Sequence, residues 1–121
     1  MKLNNLATKL LNKLGILHYD CEVDDVEECS EEKTITVIEK HHITITPRVN
    51  VNVNKVKEVL EKEGFTLVGD WDHEYDYTKL LKEKTTKKYR TISSIDVRVE
   101  YDDMQRLRSI TIYKTIRVER L

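Results

Sequence analysis

The 121 residues carry 21 Lys and Arg against 22 Asp and Glu, with 36% charged and 39% hydrophobic residues. That length suits one domain, 1–121, with a modest core, since folding at this size buries about two-thirds of the unfolded surface. The formal net charge of −1 is unlike that of a typical nucleic-acid binder, three Gly and one Pro exclude low-complexity linkers, and no apolar run reaches the about 18 residues that span a bilayer.

The opening "MKLNNLATKLLNKLG" reads as an amphipathic helix over about 3–14. Leu3, Leu6, Leu10, Leu11 and Leu14 recur at three- and four-residue steps, and Gly15 suits a helix end because it tolerates positive φ. Lys9 and Lys13 interrupt the apolar run, so the segment is not read as a signal peptide, and a cytoplasmic location is expected. Its low charge and narrow apolar stripe favour packing on the domain's own sheet over lying on a membrane.

Ile16 to Val23 has a weak strand pattern. Asp20 to Glu32 then holds eight acids and no Lys or Arg, and its secondary structure is not legible. In the cytoplasm Cys21 and Cys29 are expected to be reduced thiols, with a disulfide across this acidic segment as the alternative. Thr34 to Thr46 is rich in β-branched residues. The polar break from Glu39 to His42 is either a hairpin turn or a bend in one long strand, and Pro47 ends the pairing.

Asn52 or Asn54 caps a second helix running to about 63, with Val53, Val56, Val59 and Leu60 as its buried stripe and Gly64 as its stop. "FTLVGDW" follows as a strand. Near the C-terminus Ile95, Val97, Val99 and Tyr101 alternate with Asp96, Arg98 and Glu100. After "DDMQR", Ile110, Ile112, Ile116 and Val118 alternate with Thr111, Tyr113, Thr115 and Arg117. This predicts a long antiparallel hairpin with one buried face on each strand. Lys114 falls on the apolar face and is expected at an edge or snorkelling outward. The fold class is α+β: a mainly antiparallel sheet of about 4–6 strands with two helices on one face.

Two segments are candidate sites. In "GDWDHEYDY", residues 69–77, rings and acids alternate. If residues 70–77 are one strand, Asp70, Asp72, Glu74 and Asp76 share a face as an acidic row, with Trp71, His73, Tyr75 and Tyr77 on the other. Arg98, Arg108 or Arg117 would be cross-strand partners for those acids. In "KLLKEKTTKKYR", Lys79, Lys82, Lys84, Lys87, Lys88 and Arg90 offer cations to phosphates and Tyr89 a stacking ring, with Glu83 as the lone acid. The plain reading of this segment is a mobile loop between strands.

Catalytic and metal chemistry has little support. There is no nucleophile elbow, phosphate loop or dinucleotide fingerprint, and acidic neighbours weaken any thiolate at Cys21 or Cys29. The acidic stretch lacks the glycine and spacing of a calcium loop. His18, Cys21, Cys29, His41 and His42 lack zinc-ligand spacing, which leaves a buried thiol and exposed turn histidines as the plain expectation. No cofactor is expected.

The function expected is a non-enzymatic binding or regulatory module acting by protein–protein contact through segregated acidic and basic surfaces. An accessory protein of a virus or mobile element is one setting for such a chain. The alternatives are single-stranded nucleic-acid binding by residues 79–90, and a metal-dependent hydrolase built on Asp70, Asp72, His73 and Glu74. A homodimer formed through an exposed C-terminal edge strand is a further expectation.

Overall fold

In the computed structural model, which describes residues 3–24 and 27–121, the Leu-rich opening is helix α1, Leu3–Leu14. The strands β1 (Tyr19–Asp24), β2 (Glu28–Glu32) and β3 (Ile35–Pro47) follow. Helix α2 (Val53–Lys62) precedes β4 (Thr66–Trp71), β5 (Glu74–Thr85), β6 (Tyr89–Tyr101) and β7 (Leu107–Arg120). The strands make one seven-stranded antiparallel sheet in the order β1-β3-β7-β6-β5-β4, with β2 pairing β3 beside β1. The α+β class is as the sequence predicts. The strand count is higher, because the acidic segment supplies β2 as well as β1.

Both helices follow their apolar stripes. α1 buries Leu6, Ala7, Leu10, Leu11 and Leu14, and α2 buries Val53, Val56 and Leu60. Asn52 is the N-cap of α2, its side chain accepting from the Asn54 N–H at 2.8 Å. Gly15 (φ 67°) and Gly64 (φ 89°) end the helices in the left-handed region, as their positions predict. Glu63 ties the helices together: it pairs with Lys9 at 2.7 Å and with Lys13, and these cations hold its carboxyl down to about 2. No helix among the described residues is long and apolar enough to cross a membrane.

The polar break in the first long strand is a bend. β3 runs through it with a bulge between Lys40 and Ile43, and His41 takes a φ of 58°. The extra residue restores the alternation, so Ile43 and Ile45 face the helices beside Ile112 and Ile110.

The sheet divides across its strands. On the helix-side face of the inner half, Ile43, Ile45, Tyr77, Ile95, Val97, Val99, Ile110 and Ile112 are all buried against the helices. Lys114 marks where this ends. It is not at a sheet edge, since β7 lies between β3 and β6; it sits opposite Lys40 and Ile95, half-exposed. From there outward no described residue of any strand is buried, on either face.

Candidate interaction surface

The acidic row does not form. The chain reverses at Asp72 and His73, with His73 at a φ of 61°, so Trp71 lies opposite Glu74 and Asp70 opposite Tyr75. Each crossing of that turn swaps the face. Trp71, Glu74 and Asp76 share the open face, away from the helices, while Asp70 joins Tyr75 and Tyr77 on the helix side. Asp72 is at the turn itself.

The open-face acids are already engaged. Trp71 Nε1 donates to Asp76 Oδ2 at 2.9 Å, lying across Gly69, where an added Cβ would come within 2.6 Å of that nitrogen. Arg98 Nε stands 3.5 Å from Glu74 and 3.6 Å from Asp76. Of the three arginines expected to offset the acids, Arg98 does so. Burial and the neighbouring Asp76 raise the Glu74 carboxyl above its ordinary range. One strand over, Asp96 accepts hydrogen bonds from Thr78, Ser94 and Thr115. It spans three strands and has little capacity left for a ligand.

The set Asp70, Asp72, His73 and Glu74 does not converge either. His73 Nε2 contacts Asp103 at 2.6 Å and its Nδ1 lies 3.5 Å from Asp72, both on the exterior. Among the described residues no group of three or more His, Cys, Asp or Glu is arranged to hold a metal ion, and this includes His18, Cys21, Cys29, His41 and His42. Both cysteines are free and exposed, where a buried thiol was expected. An edge strand with neither face covered leaves them there. His42 is not a bare turn residue; it stacks on Tyr113 with ring centroids 4.9 Å apart.

Residues 79–90 are a hairpin arm, where the sequence reads most simply as a loop. β5 and β6 stay paired out to Thr85 and Arg90, with a bulge at Leu81, and Lys87 and Lys88 form the tip. Lys79, Lys82, Lys84 and Tyr89 lie on the helix-side face. Lys79 is used internally, donating to the Glu63 carbonyl at 2.8 Å. Arg90 points to the open face and pairs with Glu83 at 2.7 Å. Lys82 and Lys84 are exposed and make no ion pair among the described residues.

Cross-strand rows add cations that the sequence segment alone did not reveal. One row runs Lys40, Lys114, Ile95, Lys79; the next Ile38, Ile116, Ser93, Lys82; the next Thr36, Val118, Thr91, Lys84; and Arg120 lies beside Tyr89. The signal for Lys114 and Arg120 was their even-numbered phase in β7. The open face of the same half carries Ile35, Val37 and Ile92 about Arg117. Leu80 is 58% exposed.

Both lateral edges of this outer half lack a neighbour among the described strands. β4 pairs β5 only from Glu74 to Thr78, leaving Lys79–Thr85 open on that side, and β2 pairs only β3. The β5 edge displays Lys82 and Lys84; the β2 edge displays Glu31 and Glu32, all exposed. No family model matches the chain, and no curated protein or solved structure is significantly similar to it.

Proposed function

We propose that the chain is a non-enzymatic binding module, working in the cytoplasm, that acts by protein–protein contact through the outer half of its sheet. One observation carries this reading. Partly buried Ile and Val side chains, with exposed Leu80 and Leu81 beside them, occupy both faces of a sheet half that neither described helix covers. Contiguous apolar surface of this kind marks interaction sites, and covering it contributes about 25 cal/mol per Å2. Charge at the two edges adds selectivity and speeds encounter. The acids of residues 70–76 stand apart from this half: Asp70 and Asp72 are exposed at the β4–β5 turn, at the other end of the sheet, and Glu74 and Asp76 hold Arg98.

The test is affinity purification with wild type and with Ile92→Asp/Ile116→Asp, each checked for folding by circular dichroism. The paired variant is expected to lose the proteins that wild type retains. Identical retained sets from both would remove the outer half as the contact surface.

A second reading has its own observation. Lys82, Lys84 and Tyr89 share one face with Lys114 and Arg120, an arrangement suited to a single-stranded nucleic acid whose phosphates meet cations while a base stacks on the ring. Binding in a gel shift would fall steeply with salt and with Lys82→Glu/Lys84→Glu. Absence of binding at low salt would end it.

A further inference from the structure

We propose that the partner is a second copy of the chain, docked edge to edge, with β2 of one copy beside the outer part of β5 of the next. This rests on the protein-contact reading and names an occupant for the two edges of the outer half, its apolar faces being a separate contact.

Three observations carry the inference. First, each edge presents backbone groups with no neighbouring strand among those described, and such edges are templates for strand addition. Second, the lengths match: β2 has five residues, Glu28–Glu32, and β5 is open from Lys79 to Thr85. Third, the edges carry opposite charge. On the helix-side face Glu31 stands on one and Lys82 and Lys84 on the other, all exposed, while Glu32 and the Arg90-paired Glu83 lie on the open face.

Charge also selects the mode of pairing. On the helix-side face, two β5 edges meeting about a two-fold axis would bring Lys82 and Lys84 against their own copies, and two β2 edges would do the same with Glu31. Like charges directly opposite are destabilising. Only β2 against β5 joins acid to base. That contact uses a different patch on each copy, so it is heterologous and each added copy exposes a fresh edge. The sheet then continues from molecule to molecule, and the product is an open chain or a ring. The homodimer expected from a C-terminal edge is replaced, because β7 lies in the interior of the sheet.

Sedimentation velocity of the full chain at high micromolar concentration tests this. The wild type is expected to form species beyond the dimer at low salt and to shift toward monomer as salt screens the edges. Lys82→Glu/Lys84→Glu gives a copy with two acidic edges, and Glu31→Lys/Glu32→Lys one with two basic edges. Each is expected to stay monomeric alone, and an equal mixture to assemble again. That recovery also shows that both variants remain folded. A monomeric wild type at low salt overturns the inference, as does assembly that both reversals leave intact. Neither result touches the wider protein-contact reading, which is decided separately by whether Ile92→Asp/Ile116→Asp loses its retained proteins.

Discussion

Ile112 and Ile116 sit four residues apart on the same face of the same strand, in opposite circumstances. Ile112 is fully buried between Ile43 and Val97 and under the helices; Ile116 lies between Ile38 and Ser93, only partly buried. The residue type and the backbone ladder are alike at both. What differs is the second layer, so a strand's apolar phase says which face a side chain takes but not whether that face is covered.

Truncating both side chains separates a covered site from an uncovered one. Ile112→Ala should cost about 3–4 kcal/mol in urea unfolding, as large-to-small changes in a packed core do. Ile116→Ala should cost about 1–2 kcal/mol, because its side chain is only partly taken from water there. Equal losses would mean the outer half is covered within the isolated chain.

Within the buried half, Tyr77 carries a hydroxyl with no hydrogen-bond partner among the described residues, and burial pushes its phenol up to about 12. An unpaired buried hydroxyl costs about 1–3 kcal/mol of desolvation. Tyr77→Phe is therefore expected to raise stability by about 1 kcal/mol, read as a higher urea midpoint at unchanged slope.

Gly69→Ala tests the seam at the β4–β5 hairpin. The added methyl meets the indole nitrogen of Trp71, the chain's one tryptophan. Displacement from Asp76 should shift the emission spectrum, at a stability cost under about 1 kcal/mol, since an exposed ring can move aside. An unchanged spectrum would mean that Trp71 does not lie over Gly69.

The smallest effect is at Glu63. Its carboxyl is held at about 2, below the ordinary 4.5, by Lys13 and Lys9. A depressed carboxyl contributes stability that is present above its unfolded value and lost as pH falls from about 4.5 toward 2. Glu63→Gln should lower stability at neutral pH by about 0.5 kcal/mol, as exposed pairs do. It should also flatten the pH dependence between those values, which urea melts across the acid range would show.

The sequence made the helices and the last two strands legible because a single period and a clear stop coincide there: Leu3 to Leu14 before Gly15, Val53 to Leu60 before Gly64, and the unbroken alternation into Val99 and Ile112. Residues 69–77 misled because a turn without Gly or Asn-Gly, at Asp72 and His73, reverses the face of everything after it. One such turn moved Asp70 away from Glu74 and Asp76. β2 was hidden for another reason: an edge strand bare on both faces needs no apolar alternation, so "ECSEE" carries none. The cationic rows were illegible because they join residues from four strands, and strand order was not readable. Lys114 alone, charged amid isoleucines, hinted at where the helices stop.

The position of β7 also bears on how the fold is reached. β4 to β7 form a meander whose neighbours in sequence are neighbours in space, so it can zip locally. β3 has no such route, since Ile35 must find Glu119 across more than two-thirds of the chain. Closing so long a loop is entropically slow. Refolding should therefore run in two stages, the four-stranded meander first and the β1–β3 flank annealing onto it afterwards, and any lesion in β7 would strand that flank without a template.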